Sequence, residues 1–275
     1  MPAIDPNCKL LLHCDGTDGS TTFTDSSGTG KTVTARNNAQ IDTAQSVFGG
    51  ASGLFDGTDD YLDTPDHADW TLGTSDFTID FRYRLVALSA GESQVVGQDP
   101  NDGSNLWLLR YEEPGTDNWL FYWKVAGVVK INQGFATSIA LNTWYHIALC
   151  RSGNNLRFFK DGVQVGSTID VTGINLTNID STLDIGIRRA GALSSDMNGW
   201  IDEFNFVNGT ALYTANFTPP SLPYGTTPTT TSSTTTTSST TSSTSSSTST
   251  SSTTSSTSST SSTTSSTSTS TSTST

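Results

Sequence analysis

The chain is poor in cysteine, in positive charge and in long apolar runs. Its three cysteines, Cys8, Cys14 and Cys150, are odd in number and show no CxxC spacing, so they form neither a disulfide framework nor a zinc site. Cys14 and Cys150 lie in apolar, strand-like stretches and read as small core residues. A bridge between them requires that their strands be neighbours. Thirteen basic residues face 26 acidic ones, a net charge of -13. That balance argues against nucleic-acid binding, which needs Lys and Arg to neutralise phosphates, and against docking on an anionic membrane. No segment approaches the ~20 apolar residues of a membrane span, so no membrane insertion is expected. The first residues, MPAIDPN, lack the basic and apolar regions of a secretory signal. The expectation is synthesis in a cytoplasm and, for a virion or surface location, a route without a cleaved signal. No stretch has the periodicity of an amphipathic helix.

What the chain does have is strand pattern. Asp76 to Leu85 (DFTIDFRYRL) alternates cleanly: Phe77, Ile79, Phe81 and Tyr83 on one face, Asp76, Thr78, Asp80, Arg82 and Arg84 on the other. This predicts one core face and one wet face of an antiparallel sheet. Similar runs are Lys9–Cys14, Lys31–Ala35, Ala39–Ile41, Ser52–Phe55, Tyr61–Leu62, Leu106–Tyr111, Trp119–Val125, Val128–Ile131, Ile139–Leu141, Thr143–Arg151, Leu156–Lys160, Val163–Val165, Leu183–Arg188 and Trp200–Val207. They are separated by turn formers such as QDPNDGSN, EEPGTDN, AGALSSDMN and Asp161-Gly162, the last a strong hairpin signal. Trp70 sits among small and acidic loop residues, as a plug would. Many short strands predict an all-β, two-sheet antiparallel sandwich or jelly roll. Its first strand, Leu10–Cys14, is expected to pair with its last, Ile201–Val207.

Residues 226–275 are Thr and Ser with one Pro. Such a segment buries too little to offset its ordering entropy and reads as a disordered tail or linker after a single domain at 8–225. Its expected role is attachment to a virion or surface assembly.

Five blocks, LLLHCDG, FGGASGLFDGTDDYLDTPD, DFTIDFRYRL, NTWYHIALCRSGNNLRFFKDGVQVG and GWIDEFNFVNGTALYTANFTPP, in this order, resemble a laminin G-like domain of the concanavalin A-like lectin/glucanase jelly-roll superfamily. The similarity is closest to its bacterial and bacteriophage branch, placed in tail fibres and other virion or surface proteins. It extends over nearly all of residues 8–225. It implies two curved antiparallel sheets, frequent calcium at the rim, and binding of glycans or proteins. The function this implies is a noncatalytic carbohydrate-binding or adhesion module whose partner is a cell-surface glycan or glycoprotein. The alternative is a purely structural decoration of a virion or surface, and a third reading is a glycoside hydrolase or lyase.

The glycosidases of that superfamily carry an E-x-D-x-x-E pattern. The nearest stretch here is IDEF, without the flanking acid. On a regular strand the adjacent Asp202 and Glu203 point to opposite faces, and Asp76 and Asp80 stand about 13 Å apart, so no catalytic residue is expected. His13 and His146 read as sheet histidines and His67 as a solvated one. For calcium, which takes six to eight oxygens, the candidate ligands are Asp15, Asp56 and Asp202; local turn caps are the competing reading. For sugar, Trp119, Phe121 and Trp123 belong to the core face of their strand, leaving Tyr122 and Lys124 outward, with Arg110 of the preceding strand beside them. The competing reading is an ordinary wet face. Trp144 and Trp200 are expected to be buried packing residues.

Overall fold

The computed structural model describes residues 3–88, 91–112, 117–188 and 195–225. The segment 226–275, parts of the loops EEPGTDN and AGALSSDMN, and the roles expected of them lie outside the described residues. The described chain contains fifteen strands: β1 (Cys8–Leu12), β2 (Thr34–Arg36), β3 (Gln40–Asp42), β4 (Ser52–Asp56), β5 (Tyr61–Thr64), β6 (Phe77–Leu88), β7 (Glu92–Gln98), β8 (Leu106–Glu112), β9 (Asn118–Val125), β10 (Val128–Ala136), β11 (Trp144–Ser152), β12 (Asn155–Lys160), β13 (Val163–Asp170), β14 (Leu183–Ile185) and β15 (Met197–Asn208). The only helical piece among these residues is one 3-10 turn, Ala68–Trp70. It seats Trp70 edge-on against Phe206 at 5.3 Å, with the indole Nε1 donating to the Pro65 carbonyl.

All pairings are antiparallel. The first sheet runs β13-β12-β11-β6-β15-β4-β3, with β1 also on β15; the second runs β10-β9-β8-β7-β14-β5-β2. The opening and closing strands pair as expected, Leu10 opposite Phe206 and Leu12 opposite Phe204. Alternation fixes the faces. Phe77, Ile79, Phe81 and Tyr83 of β6 point between the sheets, where they meet Trp107, Tyr111, Trp119 and Phe121 of the second sheet. Trp119 lies within 6.0 Å of the Phe81, Tyr83, Tyr111 and Phe158 rings.

Several expectations need correction. Ile139–Leu141 is not a strand, whereas β10 runs on to Ala136. Trp144 and Trp200 are only half-buried; Trp200 faces outward, with the Arg84 guanidinium 4.9 Å from its ring. Cys14 and Cys150 are free. Cys14 belongs to the core between the sheets, while Cys150 belongs to a separate cluster with Ala148 and Phe159, so no bridge spans them. Burial pushes the Cys150 thiol up to about 12.

The largest correction concerns the second face of β6, which is not wet. Thr78 and Asp80 are fully buried. Residues 209–225 fold back over this face as a clasp. The Asp80 carboxylate accepts from His146 Nε2 of β11 (3.1 Å), Asn205 Nδ2 of β15 (2.9 Å), and the hydroxyls of Tyr213 (3.4 Å) and Tyr224. Tyr213 stacks on Phe217 at 3.6 Å, and the His146 ring stands edge-on to both. The Asp161-Gly162 turn anchors the clasp as well. Gly162 accepts from the Phe217 amide, and a Cβ at its φ of +76° would lie 2.0 Å from the Phe217 carbonyl oxygen. Only glycine serves both the hairpin and the docking.

Removing one donor from a buried carboxylate leaves charge unsatisfied, at a cost of about 1.5–3 kcal/mol. Tyr224→Phe is therefore expected to lower stability in urea unfolding by that amount. Tyr213→Phe, whose hydroxyl meets the neutral Tyr224 hydroxyl at 2.8 Å and Asp80 only at 3.4 Å, is expected to lower it by less. Equal midpoints for Tyr224→Phe and wild type would show that the clasp is not held through Asp80.

Candidate functional site

The outward face of the second sheet carries a groove of about 210 Å³, formed by β8 and β9 with the residues flanking β7 and β14. The core explains why these side chains face it. Trp107, Leu109 and Tyr111 of β8 and Trp119, Phe121 and Trp123 of β9 are buried between the sheets, so the intervening residues must point out. The register sets Leu108 opposite Tyr122 and Leu106 opposite Lys124. Leu106 and Leu108, each less than 5% exposed, contribute the apolar lining. Arg110, Tyr122, Lys124, Arg188 and Gly103 complete it. The structure thus brings Arg110, Tyr122 and Lys124 together in one concavity. The two leucines escape a reading that looks only for polar residues. Their signal is the unbroken apolar run Leu106-Trp107-Leu108-Leu109, too hydrophobic for a strand with one wet face. Arg188 follows β14 and is distant in sequence, so its place was not readable.

The groove's cations are engaged. Arg110 bonds Glu92 through Nη1 (2.7 Å) and Glu112 through Nε (2.7 Å). Arg188 Nε bonds Asp99 (3.1 Å), and Lys124 Nζ donates to the Gly103 carbonyl (2.5 Å). Asp102 accepts from the amides of Asn105 (2.8 Å) and Ser104 (2.6 Å). These bonds, with a smaller contribution from the Lys124 charge, hold its carboxyl below the usual range. Guanidiniums fixed between carboxylates keep their rotamers and present their remaining N–H groups in a set direction.

The acids expected to hold calcium do not form one site. In β15 a bulge places Asp202 opposite Arg82 and Asn205 opposite Asp80. Ile201 and Phe204 both point inward, so the adjacent Asp202 and Glu203 share the outer side, contrary to the regular-strand expectation. Glu203 takes φ +52° at this bulge. It bonds His13 Nδ1 (2.6 Å) and the Tyr224 amide (3.0 Å). The Asp202 Oδ2 accepts from the amides of Val47 (2.7 Å) and Phe48 (3.1 Å), while its Oδ1 is buried without a hydrogen-bond partner. Burial, opposed by those two amides and helped by the Glu203 and Asp15 charges, raises its pKa to about 7. Asp15 lies nearby, its carboxyl packed against Gly49, where a Cβ would come within 1.7 Å. Asp56 stands apart. It is paired with Asn198, four residues before Asp202 and so about 13 Å along the strand, and it caps Thr58 and accepts from Asn38 Nδ2. Among the described residues no three His, Cys, Asp or Glu side chains are placed to share a metal ion. The Asp202 carboxyl points one oxygen at backbone amides and leaves the other without a partner, and Asp56 does not converge on it with Asp15.

A two-sheet antiparallel jelly roll with a leucine-floored groove on one outer face defines the class: a concanavalin A-like sandwich. The family described as the Concanavalin A-like lectin/glucanases superfamily matches residues 56–215, and the chain belongs to it. Solved structures agree in fold. The binding domain of Paraclostridial Mosquitocidal Protein 1 is 17% identical over 76% of this chain and 50% of that chain, with a TM-score of 0.59. Domain 4 of AbnA, a GH43 extracellular arabinanase from Geobacillus stearothermophilus, solved with arabinotriose, is 12% identical over 74% of this chain and 94% of that one, with a TM-score of 0.56. The botulinum neurotoxin serotype D ligand binding domain, solved with N-acetylneuraminic acid, is 14% identical over 76% and 48%, with a TM-score of 0.55. The chain spans about half the length of the toxin domains it matches. No curated protein matches it.

Asp202 makes stability depend on pH in a definite direction. Its carboxyl ionises near 3.8 when unfolded but near 7 when folded. Between these values the folded state holds a proton that the unfolded state has lost, so stability falls as pH rises from about 4 to about 7. The full effect is on the order of 4 kcal/mol. His13, raised chiefly by its bond to Glu203, adds stability at low pH that is lost above its ordinary 6.5. Asp202→Asn keeps an oxygen for the two amides and removes the titration. Its urea-unfolding stability is expected to decline less than wild type over this range, and parallel declines would contradict the assignment.

Proposed function

We propose that this domain is a noncatalytic carbohydrate-binding module that holds a glycan in the groove between β8 and β9, as part of a virion or microbial surface structure to which the Ser/Thr segment connects it. The observation that carries this reading is the groove's composition. An amphipathic Tyr122 and a leucine floor offer apolar surface to the C–H face of a sugar, and fixed Arg110, Lys124 and Arg188 rim it with donors for hydroxyls. The sugars bound by the arabinanase and neurotoxin domains lend support at the level of the fold. A hydrolytic role finds less support. Asp202 and Glu203 share a face but are buried, where a glycosidic bond has no access. Glu92 and Glu112 at the groove are both acceptors of Arg110.

The test is a glycan array probed with wild type and with Tyr122→Ala, each with calcium and with chelator. Wild type is expected to bind in both conditions. Tyr122→Ala, folded by circular dichroism, is expected to bind at least about tenfold more weakly, the loss of one good stacking or packing contact. No binding by folded wild type, or full binding by the variant, would overturn the reading. Binding that vanishes with chelator would return calcium to the account.

A further inference from the structure

We infer that the groove is selective for uncharged sugars and discriminates against acidic ones; this rests on the glycan-binding reading above. Three cations line the groove, which on a count of residue types invites a carboxylate or sulfate. The pairing reverses that expectation. Arg110 is clamped between Glu92 and Glu112, Arg188 is tied to Asp99, and Lys124 is tied to a backbone carbonyl with Asp102 close enough to be shifted by its charge. Among the described residues, three carboxylates behind the groove's lining therefore pair two of its three cations, in a chain whose net charge is -13. Among the described residues, an anionic ligand meets both guanidiniums already paired with carboxylates, and an ammonium, Lys124, already bonded to a carbonyl. To use the guanidiniums fully it must break a pair, leaving a carboxylate without its partner, or bind cations whose charge the carboxylates behind them already offset.

A neutral sugar meets none of these costs. Its hydroxyls both donate and accept, and the groove's lining carries both kinds of group: guanidinium and ammonium N–H donors, and the Tyr122 hydroxyl and Gly103 carbonyl oxygens. Clamping adds preorganisation. Glu92 also accepts from the Ser195 hydroxyl at 2.7 Å, so the carboxylate that positions Arg110 is itself positioned. The volume, about 210 Å³, is below the ~300–1,000 Å³ of drug-sized sites, which suits one or two sugar units of a longer chain.

The experiment compares the full-length protein on neutral oligosaccharides (arabinotriose, cellotriose, maltotriose, lactose) and acidic ones (sialyllactose, trigalacturonic acid) by calorimetry, at low and moderate salt. The expected result is binding confined to neutral members, weakened by Tyr122→Ala and little changed by salt. A second variant, E92Q/E112Q, frees the Arg110 charge while keeping acceptor oxygens. It is expected to improve affinity for acidic sugars at least about tenfold relative to neutral ones. Acidic sugars bound best by wild type, through Tyr122, would overturn the selectivity while leaving the glycan site in place. Neutral binding unaffected by Tyr122→Ala would overturn the groove as its location. No binding by the folded protein to either set would overturn both readings. A double variant with unchanged preference would show that the pairing does not set the selectivity.

Discussion

A single buried carboxylate ties the first sheet together. Asp80 sits at the middle of β6, the strand that joins β11 to β15, and accepts hydrogen bonds from both neighbours and from two tyrosines of the C-terminal clasp. A charge this deep is tolerable only when its lone pairs are filled, so the clasp cannot leave without exposing or orphaning it. The clasp therefore belongs to the fold. It covers the outer face of one sheet, keeps that face from water, and leaves the other sheet as the face on which β8 and β9 present an open groove.

The bulge in β15 serves the same arrangement. An extra residue between Ile201 and Phe204 turns both Asp202 and Glu203 to the outer side, where they reach segments that do not pair in the sheet. Asp202 takes the amides of Val47 and Phe48, and Glu203 takes His13 and the Tyr224 amide. Two adjacent acids thus fasten an early loop and the clasp to the closing strand. The cost is a raised Asp202 pKa and a non-glycine residue at positive φ. Strain and buried charge here serve assembly, whereas the groove's charges line an outer face of the other sheet.

Much of this was readable from alternation. The aromatic period of Trp119, Phe121 and Trp123 fixed which way Tyr122 and Lys124 face, and Asp-Gly marked the hairpin at Asp161. The alternating rule then misled at two places. It made the polar face of β6 wet, because nothing local in Thr78 or Asp80 says that a segment some 130 residues later covers them. It also sent Asp202 and Glu203 to opposite faces; the spacing of Ile201 and Phe204, three apart where two is regular, was the available sign of a bulge. The groove's leucines and Arg188 were missed, and the ion pairing of Arg110 with Glu92 of the neighbouring strand depends on strand register, which composition does not reveal. The grouping of Asp56 with Asp15 and Asp202 failed for the same reason: β4 pairs with β15 in a register that sets Asp56 beside Asn198.

The central claim is that a neutral glycan occupies the groove between β8 and β9. Crystals of the full-length chain grown with a neutral oligosaccharide that binds in solution test it most directly. The account predicts sugar density over Leu106 and Leu108, with the Tyr122 ring against the sugar face and Arg110 or Lys124 bonded to its hydroxyls. Density on the clasp near Tyr213 and Phe217, or at the rim of the other sheet, with the groove empty, would contradict it.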